Sequence, residues 1–279
     1  MAASATAGRE TLTPAEFDFI RGLIRSYAGI VIGENKRSMV QGRITRRMRE
    51  LGIGDVGEYL DYIRTAPEIE RDGLASALTT NVTAFFRENH HFDYLKTQFL
   101  PSLRRLGSRR IRAWSAGCSS GEEAYSIAIT LLEAAGDERS WDLGVLATDL
   151  DFNMIRFARE GIYPVDRVER LPPEQLKRWF LRGGGSQDGR VMVRPELKRI
   201  VRVMPLNLLE EWPMKGPFDV IFCRNVFIYF DRDVKARIVD RYAELLPVGG
   251  LLFIGHSENL HGLTERFELI GGTIYRKRQ

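Results

Sequence analysis

The pattern of apolar and polar positions changes character along the chain. From Thr13 to about Leu78 it is helical, with glycines between short helix-like stretches. Thr13-Pro14-Ala15-Glu16 is a typical helix start, because a capping residue is followed by proline at the first helical position and glutamate at the third. This part of the chain is therefore predicted to form a small all-helical domain.

From Ile111 onward, short apolar runs alternate with helix-like stretches. The runs are IRAWSA, LGVLATD, IVRVMPL, FDVIFCRN and LLFIGHS. Such alternation is typical of a parallel sheet covered by helices. Near the end, FELI and TIYRKR flank Gly271-Gly272, which predicts an antiparallel hairpin closing the sheet. The GGGS at 183–186 is too short to separate domains and marks a loop within an insertion at about 163–200.

Composition narrows the class of protein. The chain has 279 residues, of which 44% are hydrophobic and 28% charged, as in an ordinary globular protein. A net charge of +4 is too mild to indicate a nucleic-acid partner. The opening MAASATAGRE lacks an apolar signal region, and no apolar run approaches the roughly 18 residues of a membrane span, so a cytoplasmic location is expected. Cys118 and Cys223 are far apart and the four histidines are scattered, so no metal site is expected.

Residues 110–133, RIRAWSAGCSSGEEAYSIAITLLE, predict a strand, a loop of small residues and a helix. Open parallel sheets bind ligands at this kind of turn. The loop is not G-x-G-x-x-G, and Glu122 and Glu123 at the helix start would repel a pyrophosphate. A cationic ligand such as S-adenosylmethionine fits better than a dinucleotide. The alternative is that the two glutamates only stabilise the helix N-terminus.

Polar residues follow the next predicted strands. Asp149 ends LGVLATD, where a carboxylate is placed to accept hydrogen bonds from ribose hydroxyls; Asp151 is the competing acid and is also suited to capping the next helix. Asn207 follows IVRVMPL, and its amide can read an adenine edge. Arg224 and Asn225 end FDVIFCRN. Each residue alone would more often be structural, but together they predict a ligand crevice at the carboxyl edge of the sheet.

Six strings occur in the order NVTAFFRENHHF, WSAGCSSGEEAYSIAI, ATDLD, NLL, FDVIFCRNVFIYFD and GLLFIGHSENL. Through them the sequence resembles the CheR-type chemotaxis receptor methyltransferases over nearly the whole chain. The resemblance implies an α/β fold: a helical N-terminal domain (13–80), a connecting segment touching the cofactor (81–92), and a Rossmann-like S-adenosylmethionine-dependent methyltransferase domain (93–279). A small antiparallel β-subdomain (163–200) is inserted in the last.

The resemblance also implies an activity, the transfer of a methyl group to glutamate side chains of chemoreceptor helices. The products are γ-glutamyl methyl esters and S-adenosylhomocysteine. A glutamate is already ionised at neutral pH, because its ordinary pKa is about 4.3, so no general base is required. The enzyme must instead align the carboxylate oxygen, the methyl carbon and the sulfur in line.

Site residues are carried over from the same strings. The expected cofactor contacts are Asn81, Thr83, Arg87, Glu123, Asp149, Asn207, Leu208, Arg224 and Asn225. Arg87 is suited to a bidentate pair with the methionyl carboxylate, Glu123 to the ammonium or a nearby polar group, and Asp149 to the ribose.

Two residues are expected near the transferred methyl group. Tyr229 and Arg224 are candidates for orienting the substrate, with a core position as the alternative for Tyr229. In the connecting segment, Phe85 and Phe86 are expected to pack. His90 and His91, a short way further along, are expected on a helix surface.

Residues 36–49, KRSMVQGRITRRMR, contain six basic residues and no acid. In a helix, Arg43, Arg46, Arg47 and Arg49 flank an apolar face or lie opposite it. The resemblance implies that this helix binds the acidic methylation region of the receptor. A solvated basic face and a phosphate-binding face are the alternatives.

The insertion FLRGGGSQDGRVMVRPELKRIVRV resembles the β-subdomain of family members that add a tethering peptide from the receptor C-terminus as an edge strand. Two other functions remain open: a methyltransferase acting on RNA or a small acid, and a non-catalytic regulator that binds S-adenosylmethionine or a nucleotide. No Asp-Pro-Pro-Tyr or Asn-Pro-Pro-Tyr string follows the fourth strand, which disfavours amino methylation of bases. A monomer is the expected oligomeric state.

Overall fold

The structure is a computed structural model that describes residues 9–65, 67–136 and 140–278; the side chains of residues 67–69 lie outside that description. The chain divides into two compact units. One comprises the chain up to Thr80 together with Tyr229–Asp231, and the other comprises Asn81–Ile228 with Arg232–Gln279. No helix among the described residues combines the length and the apolar character needed to cross a membrane.

The first unit is helical, as predicted. Its helices are α1 (Pro14–Ala28), α2 (Arg37–Leu51), α3 (Val56–Thr65) and α4 (Pro67–Leu78). The predicted capping box is confirmed, since Thr13 Oγ1 accepts from the Glu16 amide and Glu16 Oε2 accepts from the Thr13 amide. Apolar residues one turn apart on α1 and α2 are buried and form the core, among them Ile20, Ile24, Ile44 and Met48.

The second unit is α/β. Its helices are α5 (His90–Tyr94), α6 (Leu100–Arg105), α7 (Glu122–Ala135), α8 (Phe152–Glu160), α9 (Pro173–Trp179), α10 (Pro195–Ile200) and α11 (Arg232–Leu245). Its strands are β1 (Arg110–Ala116), β2 (Asp142–Asp149), β3 (Ile162–Pro164), β4 (Phe180–Arg182), β5 (Arg190–Val193), β6 (Val201–Pro205), β7 (Val220–Cys223), β8 (Leu251–Ile254), β9 (Phe267–Gly271) and β10 (Ile274–Lys277).

The larger sheet has the strand order β6-β2-β1-β7-β8-β10-β9. The first five strands are parallel, and β10 runs antiparallel to both β8 and β9, so the predicted hairpin is confirmed. Strands β7 and β8 are wholly buried and α7 is buried along most of its length, which explains their continuous apolar runs. From β1, the strands β2 and β6 extend the sheet on one side, and β7 and β8 extend it on the other. The gap between β1 and β7 is therefore the topological switch point, the place where open α/β sheets bind ligands.

A smaller antiparallel sheet has the order β3-β5-β4. Phe85 packs edge-on against Tyr163 of β3 and Phe180 of β4, with ring centroids 5.1 and 5.3 Å away. Phe86 packs on Phe92 at 5.2 Å. The prediction that both phenylalanines pack is confirmed, and the inserted antiparallel sheet of the predicted fold class is confirmed with it.

The expectation of a surface position for His91 is wrong. Its side chain is fully buried, its Nε2 lies 2.9 Å from the Gly272 carbonyl oxygen, and its ring contacts Phe253. Burial, together with the nearby Arg224 guanidinium, lowers the pKa of His91 to about 3, so it is neutral. His90 is exposed, and its Nε2 also lies against the Gly272 carbonyl oxygen.

Candidate active site

The loop between β1 and α7 is closely approached by neighbouring elements. Gly121 has φ of 99°, and a Cβ built there would lie 2.9 Å from the Ala158 Cβ. Gly117 has φ of 94°, and its Cβ would lie 2.5 Å from Val226 Cγ2. Both positions therefore require glycine. The loop backbone is thereby brought to the carboxyl ends of β1 and β7.

Asp149 ends β2 beside this loop. Its two carboxyl oxygens accept hydrogen bonds from the backbone amides of Ser119 (2.7 Å) and Asp151 (2.9 Å). Burial raises the pKa of Asp149 to about 6, with a further contribution from Asp151. The carboxyl group is thus fixed beside the loop between β1 and α7, and its contact with ribose hydroxyls remains a prediction.

Asp151 is the N-cap of α8, as predicted. Its Oδ1 accepts from the amides of Asn153 and Met154. Its Oδ2 also accepts from Asn81 Nδ2 at 2.7 Å. This contact joins the connecting segment to the end of β2, which carries Asp149. Asn81 and Asp149 are therefore linked through a single residue, Asp151.

Glu122 and Glu123 begin α7, and both are buried. Glu123 accepts from Ser115 Oγ at 2.7 Å and pairs with Arg224 at 3.1 Å. Glu122 accepts from Ser120 Oγ at 2.6 Å and pairs with Arg167 at 3.4 Å. Burial raises the pKa of both carboxyl groups, and the neighbouring hydrogen bonds and cations partly offset it.

Arg224, after β7, is buried and makes polar contacts with Glu123, Glu88 and the Arg87 backbone. Its guanidinium lies 3.1 Å from Glu123, 3.4 Å from Glu88 and 2.5 Å from the Arg87 carbonyl oxygen. It therefore joins the end of β7, the start of α7 and the connecting segment. An orienting role toward the substrate remains a prediction for this residue.

Sequence reasoning missed Glu258, which is buried and shapes the turn after β7. Its carboxylate accepts from the amides of Gly255 (2.6 Å), Asn225 (2.9 Å) and Ile228 (3.3 Å). Asn225 has φ of 59°, a left-handed conformation that these hydrogen bonds hold in place. The string GLLFIGHSENL contains Glu258 and Gly255, but the partners Asn225 and Ile228 lie in another part of the sequence.

The other predicted cofactor residues lie in the same unit. Arg87 Nη1 donates to the Val82 carbonyl oxygen at 2.8 Å, and the Thr83 carbonyl oxygen accepts from Arg167 at 3.2 Å. Asn207 and Leu208 follow β6 and are buried. The Asn207 side chain caps its own turn, because Oδ1 accepts from the Leu209 amide at 3.0 Å.

Tyr229 is assigned to the first unit. Its hydroxyl donates to the Thr80 carbonyl oxygen at 3.1 Å, and its own carbonyl oxygen accepts from the Val31 amide at 2.8 Å. The side chain is partly exposed. The structure therefore gives it a role in holding the helical unit, and its orienting role remains a prediction.

The four arginines of the predicted substrate face divide into two pairs. Arg43 donates to the carbonyl oxygens of Ala77 and Thr79, and Arg47 pairs with the fully buried Glu70 at 2.6 Å. The side chains of Arg46 and Arg49 are 83% and 72% exposed, and they make surface ion pairs with Glu50 and Glu10. Arg46 and Arg49 are therefore the pair available to a partner.

The residues of the second unit fit S-adenosylmethionine chemically. They comprise a glycine-bearing turn at the switch point, a carboxyl group suited to ribose hydroxyls, and Arg87, suited to the methionyl carboxylate. Buried Glu88 Oε2 and Arg224 Nε make no hydrogen bond within the described part of the chain. Among the described residues, no group of three or more His, Cys, Asp or Glu is arranged to hold a metal ion. This combination defines a class, the S-adenosylmethionine-dependent methyltransferases built on an open α/β sheet.

Family comparison gives the particular family. Residues 81–276 match the family described as CheR methyltransferase, SAM binding domain, and residues 15–79 match CheR methyltransferase, all-alpha domain. The chain belongs to the CheR methyltransferase family, and its cofactor is S-adenosylmethionine.

Curated relatives match along most of their length. The chain is 47% identical over 271 residues to a chemotaxis protein methyltransferase of Klebsiella aerogenes, covering 96% of this chain and 91% of that one. It is 46% identical over 270 residues to the chemotaxis protein methyltransferase of Escherichia coli, covering 96% and 92%. It is 42% identical over 266 residues to chemotaxis protein methyltransferase 2 of Pseudomonas aeruginosa, covering 94% and 93%.

Proposed function

We propose that the chain transfers the methyl group of S-adenosylmethionine to glutamate side chains of chemoreceptors, as a protein-glutamate O-methyltransferase acting in sensory adaptation. The observation that carries the proposal is the linked set at the switch point. Asn81 contacts Asp151, whose amide contacts Asp149, and the Arg87 backbone contacts Arg224. The names of the curated relatives support the chemotactic substrate.

The chain's own residues supply binding and orientation. The bound cofactor supplies an electrophilic methyl group on a sulfonium centre. Arg87 would pair with the methionyl carboxylate, the Asp149 carboxylate would accept from the ribose hydroxyls, and the Asn207 amide would hydrogen-bond to the adenine. The proposed cofactor contacts are Asn81, Thr83, Arg87, Glu123, Asp149, Asn207, Leu208, Arg224 and Asn225. No residue of the chain needs to remove a proton, because the acceptor glutamate is ionised at neutral pH.

The negative charge that gathers around this site suits a cationic donor. Glu88, Glu122 and Glu123 each carry a buried carboxyl group, while Arg224 and Arg167 are the cations paired with them. The donor carries a sulfonium and an ammonium, and its demethylated product has lost the sulfonium charge. A carboxylate-rich surrounding therefore favours the methyl donor electrostatically over the product.

Two surfaces are proposed for the receptor. The exposed arginines of α2, Arg46 and Arg49, bind the acidic methylation region of the receptor. Arg43 and Arg47 support this helix through their contacts within the helical unit. The β-subdomain around β4 adds a receptor C-terminal peptide as an edge strand, because β4 is an edge of the smaller sheet. We place the reaction in the cytoplasm, with the protein acting as a monomer.

Transfer of labelled methyl to receptor-rich membranes tests the proposal. Label that is released as methanol by mild alkali identifies a glutamyl ester and supports it. Base-stable label identifies a nitrogen or carbon acceptor and overturns the substrate. Cofactor binding without any label overturns catalysis and identifies a regulator. The variant Arg87→Ala, which removes the proposed carboxylate partner, is expected to lower the labelling rate at limiting cofactor by roughly tenfold or more.

A further inference from the structure

Arg87 lies between two residues with left-handed backbone conformations. Phe86 has φ of 52° and Glu88 has φ of 55°. Residues other than glycine adopt this conformation rarely, and it persists only where surrounding contacts hold it. The contacts of Phe86 and Glu88 therefore decide where the Arg87 backbone lies, and so where its guanidinium can reach.

Phe86 and Glu88 are held in different ways. The Phe86 amide donates to Ser126 Oγ at 2.9 Å and its ring packs on Phe92. Glu88 is held by charge: Oε1 lies 2.9 Å from His256 Nδ1, and Oε2 lies 3.4 Å from the Arg224 guanidinium. The Glu88 side chain is only 11% exposed and that of Arg224 only 2%, so the contact between these two is shielded from water, whereas His256 approaches Glu88 from the solvent side.

Arg224 contacts both Glu88 and the Arg87 backbone. The guanidinium that contacts Glu88 also donates to the Arg87 carbonyl oxygen at 2.5 Å. One arginine thus contacts both the backbone of Arg87 and the side chain of the next residue. Because Arg224 also pairs with Glu123, one buried guanidinium serves two carboxylates. His256 is the further donor that satisfies Glu88.

The charge state of Glu88 is consistent with this role. Burial opposes its ionisation, but the hydrogen bond from His256 and the nearby Arg224 outweigh burial, so the pKa of Glu88 lies below its ordinary value. Glu88 is therefore a carboxylate at neutral pH.

We infer that Glu88 and His256 are positioning residues for the cofactor: together with Arg224 they fix the Arg87 backbone and so present its guanidinium to the methionyl carboxylate. The inference rests on the proposed function, which assigns that carboxylate to Arg87. Neither residue needs to contact the cofactor, and both act through Arg87.

His256 offers the cleaner test, because its side chain is 68% exposed and its replacement leaves the core intact. His256→Ala removes the side-chain donor to Glu88 and leaves the hydrogen bond from the His256 backbone, whereas His256→Asn keeps an amide nitrogen near the position of Nδ1. The matched control is His261→Ala, an exposed histidine in the same loop. Cofactor and product affinities are measured by calorimetry, and initial rates are measured with receptor membranes.

His256→Ala is expected to raise the dissociation constants of S-adenosylmethionine and S-adenosylhomocysteine about fivefold. The kcat at saturating cofactor should stay within about twofold of the wild type, because the acceptor and the in-line geometry are untouched. His256→Asn should restore most of the affinity, and His261→Ala should match the wild type. A purely structural role would lower the unfolding midpoint and kcat together, without rescue by asparagine.

Glu88→Gln and the double variant Glu88→Gln/His256→Ala complete a thermodynamic cycle. If the residues act as a pair, the double variant should bind about as weakly as Glu88→Gln alone. Additive losses, or unchanged affinity in His256→Ala, would overturn the inference. Should Glu88→Gln fail to fold by circular dichroism, the His256 series decides alone. If Arg87→Ala also leaves cofactor affinity unchanged, the proposed cofactor site is wrong. If Arg87→Ala weakens binding but the His256 and Glu88 variants do not, the proposed site is retained and the positioning role is wrong.

Discussion

Asp149 has a raised pKa, which provides a test of its proposed role in cofactor binding. Its pKa is raised to about 6 because burial disfavours the charged form, and under the proposed function that charged form is the stronger acceptor for the ribose hydroxyls. A raised pKa in an acid means that the folded state takes up the proton more readily than the unfolded chain. Asp149 therefore favours folding below its ordinary pKa, and this contribution is lost as the pH rises through about 6.

The affinity for S-adenosylmethionine should accordingly fall as the pH is lowered through 6, by about tenfold between pH 7 and pH 5, because the ionised fraction of Asp149 falls by that factor. Asp149→Asn should bind weakly and lose this pH dependence. Calorimetric titrations across pH 5 to 8 measure both effects, with the exposed Asp188→Asn as the matched control. An Asp149→Asn profile that still falls below pH 6 would show that another group titrates.

For individual residues, the sequence predicted which side chains matter but not which residues they contact. Asp149 and Asp151 were both expected at the end of β2, and the capping role of Asp151 is confirmed because a local hydrogen-bond pattern encodes it. Glu88 and Glu258 were missed because each has side-chain or backbone partners that are remote in sequence: His256 lies 168 residues from Glu88, and Asn225 lies 33 residues from Glu258. His91 was misjudged because burial of a polar ring depends on which element packs over it.

Helix α2 separates into a packing side and an exposed side. Arg47 belongs to the packing side: its guanidinium makes two hydrogen bonds to Glu70, at 2.6 and 3.1 Å, and the Tyr59 hydroxyl donates to the same carboxylate at 2.8 Å. Glu70 is fully buried, whereas Arg47 is 21% exposed. The pair joins α2 to α4, so the stability of the helical unit depends on it.

Arg47→Ala should destabilise the protein by about 3 kcal/mol, because it leaves a buried carboxylate without its cation. Arg46→Ala, whose side chain is 83% exposed beside Glu50, should change stability by no more than about 0.5 kcal/mol. Urea unfolding followed by circular dichroism gives both values. Equal effects of the two substitutions would contradict the division of the helix.

The exposed side of α2 leads to a different prediction. Arg46→Ala/Arg49→Ala should raise the KM for receptor about fivefold at low salt, since two exposed charges lose their attraction to an acidic partner. The effect should shrink as salt is added, and the dissociation constant for S-adenosylmethionine should not change. Arg64→Ala, an exposed arginine of α3, serves as the control. A receptor KM that matches this control would exclude α2 as the receptor-binding surface.

For the whole molecule, the sequence predicted the sheet well and its long-range contacts poorly. The buried parallel strands β7 and β8 appear as continuous apolar runs, and a paired glycine marks the hairpin of β9 and β10, so local sequence suffices for both. The packing of Phe85 on the smaller sheet joins the connecting segment to the insertion. Such contacts depend on the fold as a whole, and no local pattern encodes their partners.

The insertion offers a way to separate tethering from catalysis. A tethered receptor would experience a local concentration in the millimolar range, which compensates for weak binding at the active site. The loop that follows β4 begins with three consecutive glycines, and the first two have contrasting surroundings. A Cβ at Gly183 would lie 2.1 Å from the Gln187 carbonyl oxygen, whereas a Cβ at Gly184 would meet nothing within 4 Å.

Gly183→Ala should therefore displace the loop at the end of β4 and weaken binding of a receptor C-terminal peptide by about fivefold or more, while Gly184→Ala leaves it unchanged. Both variants should methylate a receptor fragment without its tail at the wild-type rate, because the methyl-transfer site is untouched. With full-length receptor at low concentration, only Gly183→Ala should be slow. Calorimetry with the peptide and methylation assays on both receptor forms measure these effects. An absence of heat when the wild-type protein is titrated with the peptide would remove tethering from the proposed function and leave methyl transfer to be judged on its own test.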